Sequence, residues 1–437
     1  MKRKSVLREF LHYASLNILG MLGLSCYILT DTFFVSKGMG TDGLAALNLA
    51  IPVYSFVHGT GLMLGMGGAT KFTILKAQGK DRRSNEIFTA TVLSASVVSV
   101  FFMLMGLFFS EGIASLLGAN SDIFDMTNTY LRVILLFSPA FIANDVIICF
   151  VRNDGAPNLS MAAMLLGSLS NIIFDYIFIF PLKLGILGAV LATGFSPIVG
   201  IAIMSTHFFR HKNGFKIIRT MVTPRLCSSL IALGIPSLVT ELSSGVVIII
   251  FNVLILSLSG NVGVAAYGIT ANISLVVSSI YTGISQGIQP IISNAVGEGD
   301  LKKSKKLLHY GVLSSAFLSA VIFTLIAIFA SEIVSVFNSE CDEQLQAMAE
   351  LGLKLYFTGA LFAGVNIVVS AYFSSVEKPL PAQVISFCRG FAVIIPLAFL
   401  LAHTLGLVGI WLTFPVAELT VTIISVAFYF ISLHSNE

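Results

Sequence analysis

Charge is what this chain has least of. Only 11% of its 437 residues are Asp, Glu, Lys or Arg, 56% are apolar, and the mean hydropathy is +0.92. A soluble protein of this length carries about 25% charged residues, so water is excluded as the main solvent. Cysteine is sparse too: Cys26, Cys149, Cys227, Cys341 and Cys388 are scattered, with no C-x-x-C pair and no histidine at ligand spacing. A disulfide framework and a structural zinc site are therefore unsupported. No H-E-x-x-H and no clustered Cys and His mark a membrane enzyme, so the expectation is that the chain is not one. Gly38-Met-Gly-Thr-Asp-Gly43 fits G-x-G-x-x-G, but it sits in an expected outer loop with no strand before it. Gly283-Ile-Ser-Gln-Gly287 fits G-x-S-x-G, but it sits inside an apolar span without triad partners.

What the chain has is apolar runs of bilayer length. Twelve are placed at 11–35, 44–68, 87–109, 126–150, 159–180, 186–208, 226–258, 263–292, 308–330, 351–373, 382–402 and 407–433. They predict an all-α integral membrane protein with no room for a soluble domain. The start MKRKSVLREF leads into a long run without a small-residue cleavage site, which predicts an uncleaved first span. Twenty of the 25 Lys and Arg fall in alternate connecting segments (1–10, 69–86, 151–158, 207–226, 294–307 and 374–381). The loops of the other side carry only Lys37 and Lys183, and two of them, Glu111–Asp125 and Glu332–Glu350, are purely acidic among their charges. By the positive-inside rule both termini are expected in the cytoplasm.

The chain also repeats itself. Gly43-Leu-Ala-Ala46 matches Gly263-Val-Ala-Ala266, and Gly79-Lys-Asp81 matches Gly299-Asp300, both at a shift of 220. Asn144 meets Asn366 and Pro157 meets Pro379 at 222, and Leu184–Gly188 meets Leu405–Gly409 at 221. Two lobes of six spans follow, 1–210 and 226–437, joined by a cytoplasmic linker at 211–225. An even number of spans makes the repeat parallel, and two such lobes form a cleft that can open to either side by rocking. The alternative reading of the duplication is a larger static bundle such as a channel.

An ionisable group at the bilayer centre costs about 2.5–3.5 kcal/mol on insertion scales, so each needs a partner or a use. The candidates are Asp31, His58, Asp145, Asp175, Glu241, Arg389 and Glu418. Asn171 and Asp175 stand one turn apart on one face of the fifth span, where both can point at one cavity or can bond a neighbouring helix. A carboxylate of this kind, with oxygen ligands nearby, can take up a proton or a sodium ion. Glu241, Asn144, Asp145, His58 and the pair Gln286 and Gln289 ahead of Pro290 are candidates for a substrate or proton path. Glu418, three residues after Pro415, reads as structural. Prolines and the glycines Gly61, Gly65, Gly67 and Gly68 suit bendable helices, and 35 Phe with 13 Met suit an adaptable apolar pocket.

The run Arg152-Asn-Asp-Gly-Ala-Pro157, Met161, Asn171-Ile-Ile-Phe-Asp175-Tyr-Ile-Phe-Ile and Gly185-Ile-Leu-Gly188-Ala-Val-Leu-Ala-Thr193 resembles multidrug and toxic compound extrusion (MATE) transporters of the DinF/MepA-like bacterial kind. The duplication extends that resemblance over essentially the whole chain. It implies a V-shaped pair of six-helix lobes in a bacterial plasma membrane. It further implies antiport that exports organic, often cationic compounds against a Na+ or H+ gradient, with no cofactor beyond the coupling ion. In members with a first-lobe cation site the ligand positions correspond here to Asp31, Asn171, Asp175 and Thr193, and all four are present. The equivalent second-half positions hold Asn252 and Pro396, so the acids are not duplicated. The implied partners are drug-like small molecules and lipid, with no nucleic acid, and the working unit is expected to be a monomer. The rival within transport is a flippase for a lipid-linked precursor, which would call for cavity cations beyond Arg132, Lys354 and Arg389.

Overall fold

An apolar run in lipid must satisfy its own backbone N–H and C=O groups, and a helix does so within one segment. The structure, a computed structural model, describes residues 5–338 and 341–434, without the side chains of 433 and 434. Lys2, Arg3 and Lys4 of the basic start and Glu340 of the second acidic loop lie outside the described residues. Among the described residues there is no strand. The helices of the first half are α1 (Val6–Ala77), α2 (Asp81–Phe108), α3 (Ser110–Leu116), α4 (Phe124–Leu136), α5 (Ser138–Asn153), α6 (Pro157–Ile179) and α7 (Ile186–Phe209). Those of the second are α8 (Pro224–Gly297), α9 (Leu301–Phe337), α10 (Glu343–Tyr356), α11 (Ala360–Ser375), α12 (Pro379–Phe387) and α13 (Ile394–His434).

The expected spans map onto these helices with two kinds of adjustment. Single spans can be broken: α4 and α5 form one bent by 48°, where Pro139 removes a backbone donor, and α10 runs into α11 through one 3-10 turn at Phe357–Gly359. Other helices hold two spans. At about 1.5 Å per residue the 72 residues of α1 would exceed 100 Å if straight, several times a bilayer core of about 30 Å. A single residue, Gly40 (φ 66°, ψ −151°), leaves helical geometry and divides it. Gly260 (φ 62°, ψ −158°) divides α8, and Gly406 (φ 58°, ψ −137°) divides α13. With those divisions the described residues hold twelve apolar spans. The outer loop expected at Gly38–Gly43 thus reduces to one corner residue, because only glycine occupies that backbone region without strain.

The duplication is written in the backbone as well as in the letters. Left-handed residues recur at matching places: Gly40 with Gly260, Gly79 (φ 72°) with Gly299 (φ 76°), and Gly185 (φ 59°) with Gly406 (φ 58°). Gly155 (φ 84°) meets Glu377 (φ 56°) at the same shift of 222 that relates Pro157 to Pro379, so the turn has outlived its glycine.

Packing sorts the chain into two units. The first comprises Ser15–Leu242 with Ser293–Leu301, and the second comprises the segment up to Ala14, Ser243–Ile292 and Lys302 onward. Lipid offers helices little hydrophobic drive to associate, so close backbone approach through small residues does much of the work. In the first unit a Cβ on Gly67 would lie 2.0 Å from the Leu230 carbonyl oxygen, one on Gly68 2.3 Å from Thr91 Oγ1, and one on Gly61 2.5 Å from Asp145 Oδ2. These glycines sit in unbroken helix and serve contact rather than bending. Phe72, Phe88 and Phe150 pack around Phe215 of the 211–225 segment, with centroids 4.6 to 6.0 Å from it. The same segment is pinned to α2 where Asn85 Oδ1 accepts from Lys216 N (2.8 Å) and Thr89 Oγ1 accepts from Ile218 N (3.0 Å). In the second unit Trp411 is fully buried against Tyr267 and Gly352.

Candidate cation site in the first unit

Three helices bring the four expected ligands together. Asp31 comes from the first span of α1, Asn171 and Asp175 from α6, and Thr193 from α7; all four are buried. Pro157 at the first turn starts α6 in the register that turns Asn171 and Asp175 inward, while Ile173 and Tyr176 between and after them stay exposed. The Asn171 amide nitrogen reaches Thr193 Oγ1 at 3.4 Å in one orientation. In the other, which satisfies both of its ends, it donates to Asp175 Oδ2 at 3.0 Å and accepts from the Thr193 backbone N–H at 3.2 Å.

The Asp31 and Asp175 carboxyls approach closely enough to share a proton. Among the described residues Asp31 Oδ1 and Asp175 Oδ1 accept no hydrogen bond, although both are buried. Two facing carboxylates repel unless a proton or a cation lies between them. An amide oxygen, a hydroxyl and two carboxylates form the hard oxygen set that an alkali cation prefers. Tyr27, one turn before Asp31, and Tyr130 of α4, within reach of Thr193, stand close to both acids. The sequence reading missed these tyrosines, and the i, i+4 spacing of Tyr27 and Asp31 was the available signal.

A second group forms in the same unit. His58 Nδ1 lies 2.9 Å from Asp145 Oδ2, at ion-pair distance but off the line of a good hydrogen bond. Glu241 is within electrostatic reach of both, and its Cβ would sit 3.1 Å from a Cβ on Gly59, the residue after His58. Asn144 faces α7, with Oδ1 2.5 Å from where a Gly200 Cβ would stand. Gln286 and Gln289 are buried within the second unit.

The remaining ionisable residues have structural partners. Arg389 Nε donates to Glu418 Oε1 (2.6 Å), and Asn366 Nδ2 donates to Glu418 Oε2 (2.8 Å) and to the Glu418 carbonyl (2.9 Å). Arg389 rides on a π-helical turn, Cys388–Ala392, that interrupts the span between α12 and α13. Arg152, counted above among loop residues, is instead fully buried at the end of α5 and donates to Asn17 Oδ1 (2.8 Å). Asp154 binds Lys76, His207 Nε2 (2.9 Å) and the Gly214 N–H (2.6 Å), and so ties α1, α7 and the 211–225 segment together.

Twelve apolar spans, a doubled backbone pattern and carboxylates enclosed within the spans define a multi-pass helical membrane transporter. The MatE family model matches residues 17–177 and again 236–400, once in each half. The chain belongs to the MatE family, whose members are transporters rather than enzymes. Among curated relatives it is 25% identical over 419 residues to multidrug export protein MepA of Staphylococcus saprophyticus, covering 95% of this chain and 92% of that one. It is 26% identical over 420 residues to the same-named protein of Staphylococcus haemolyticus, at the same coverage. Among solved structures it resembles a MOP superfamily transporter from Pyrococcus furiosus reported with a binding pocket of reverse polarity that suggests a different function (TM-score 0.91, 21% identity, 99% of this chain and 97% of that one). It also resembles a multidrug resistance MATE family transporter of the MOP superfamily in an outward-facing conformation (TM-score 0.90, 20% identity, 100% and 99%).

Proposed function

We propose that the protein is a secondary antiporter that exports organic, amphipathic and predominantly cationic compounds from a bacterial cell, driven by inward movement of Na+ or H+. The curated relatives named as multidrug exporters support the export half of this reading. The coupling half rests on one observation: two buried carboxyls from α1 and α6 face each other beside Asn171 and Thr193, each with an oxygen that accepts no hydrogen bond among the described residues. A cation arriving from outside binds there, draws the Asp31 part of α1 toward α6 and lowers affinity for the exported compound. One charge moving inward across 100 mV supplies about 2.3 kcal/mol. Glu241, Asn144, Asp145, His58, Gln286 and Gln289 remain candidates for the path of substrate or proton. In this reading the lobes 1–210 and 226–437, joined in the chain by the 211–225 linker, give alternating access to the two sides, both termini are cytoplasmic, and one chain suffices.

The test is ethidium uptake into inverted vesicles under imposed Na+ or pH gradients. Asp31→Asn and Asp175→Asn should each lower gradient-driven uptake at least tenfold while leaving membrane insertion unchanged. Full gradient-driven uptake by either variant would sink the coupling assignment.

A further inference from the structure

The group formed by His58, Asp145 and Glu241 has no role in the cation site just described, yet it places three titratable side chains inside one packed unit. Each comes from a different element: the second span of α1, α5, and the first span of α8. The approach is built in. Gly59 and Gly61 follow His58, and a Cβ on Gly61 would stand 2.5 Å from Asp145 Oδ2 and one on Gly59 3.1 Å from Glu241 Cβ. The Tyr54 ring stacks on the imidazole at 5.8 Å and 6°. Its hydroxyl meets the Tyr27 hydroxyl at 2.9 Å. Tyr27 lies within electrostatic reach of Asp31 and Asp175 on one side and of Asp145 on the other.

The charges that face His58 are therefore Asp145 from α5 and Glu241 from α8, with the carboxyl pair one tyrosine pair away. The basic residue of α5, Arg152, lies two turns farther along and is engaged by Asn17. Two carboxylates and one imidazole in an apolar surrounding cannot all hold charge cheaply, and their total changes most readily by one proton. We propose that His58, with Asp145 and Glu241, is a second proton-exchange site of the transport cycle, separate from the Asp31/Asp175 pair and linked to it through the hydrogen-bonded Tyr54 and Tyr27. The step is a reversible protonation: a proton enters as the imidazole N–H, Asp145 carries the balancing charge, and the same proton leaves when the carboxyl pair changes occupancy.

This rests on the antiport reading above, and the experiment separates the two. In proteoliposomes the number of protons exchanged per ethidium is read from the membrane potential that nulls net flux at fixed pH difference. His58→Gln is expected to lower that number by one, whatever its effect on the ethidium rate, and Asp145→Asn to lower it equally by removing the balancing charge. Difference titration of the detergent-purified wild type against either variant should show one titrating proton fewer in the variant. An unchanged proton count, or a titration difference of zero, would overturn the proposal. Should the wild type move no ethidium under any gradient, the export reading falls and the titration still decides the His58 site. Should Asp175→Asn transport normally, the carboxyl-pair reading alone falls.

Discussion

At the scale of single residues, the spans hold ionisable groups of two kinds. Asp31 and Asp175 keep oxygens that accept no hydrogen bond among the described residues, whereas Glu418 is held by Arg389 and Asn366 on both carboxylate oxygens. The first kind suits a guest and the second does not. Removing one member of a buried ion pair strands the other and costs about 3–5 kcal/mol. Arg389→Gln should thus lower the unfolding temperature of the detergent-purified protein sharply. Replacing Arg389 and Glu418 together by methionines should restore most of the loss, as read by thermal unfolding. The sequence marked Asp31, Asn171 and Asp175, because carboxylates and amides are rare and costly in apolar spans, whereas Thr193 was reached only through the family resemblance. It hid Tyr27 and Tyr54, because a tyrosine in a span costs little and draws no notice until its hydroxyl is seen to meet another. It misplaced Arg152 as well, since a basic residue beside Asn-Asp-Gly reads as solvated until Asn17, 135 residues away, arrives beside it.

At the scale of elements, the corners are single residues. Gly40 and Gly260 occupy a backbone region that only glycine reaches without strain, and beyond the adjoining chain nothing lies within 4 Å of a Cβ added at either. Gly40→Ala should therefore cost about 1–3 kcal/mol through backbone conformation alone. Gly112→Ala in α3, equally open but at an ordinary φ, should be neutral or stabilising by up to about 1 kcal/mol. Thermal unfolding of the two purified variants makes the comparison, and equal effects would contradict the account. Span lengths were legible in the sequence because lipid sets them. The continuity of α1 through its corner was not, since a glycine-rich connection reads equally well as a loop or as one abrupt turn.

At the scale of the whole molecule, the orientation drawn from Lys and Arg placement makes a prediction about the 211–225 segment. Its Lys212, Lys216 and Arg219 should be cut by trypsin in inverted vesicles and spared in right-side-out ones. Cutting should be slow even there, because Phe215 is fully buried and the backbone N–H groups of Lys216 and Ile218 are bonded to α2. Fast cleavage from the outer face would reverse the assigned topology. The repeat was visible in the letters at five places, and the backbone adds one that letters could not reveal, where Glu377 keeps the left-handed turn of Gly155.

The way the first unit is assembled bears on how the protein is made. That unit is not closed when its own half of the chain ends: it also takes in the start of α8 up to Leu242, and Ser293–Leu301, where a Cβ on Gly297 would stand 2.5 Å from the Ile74 carbonyl oxygen. A chain leaves the ribosome from its N-terminus at about 5–20 residues per second, so this half must wait for some eighty more residues before its last contacts can form. During that interval Asp31, Asp145 and Asp175 are in the membrane before Glu241 and the 293–301 segment arrive. Biogenesis of the first half thus depends on prompt delivery of the second, and ribosome stalling between residues 210 and 300 should expose it to quality-control proteolysis more than stalling after 301.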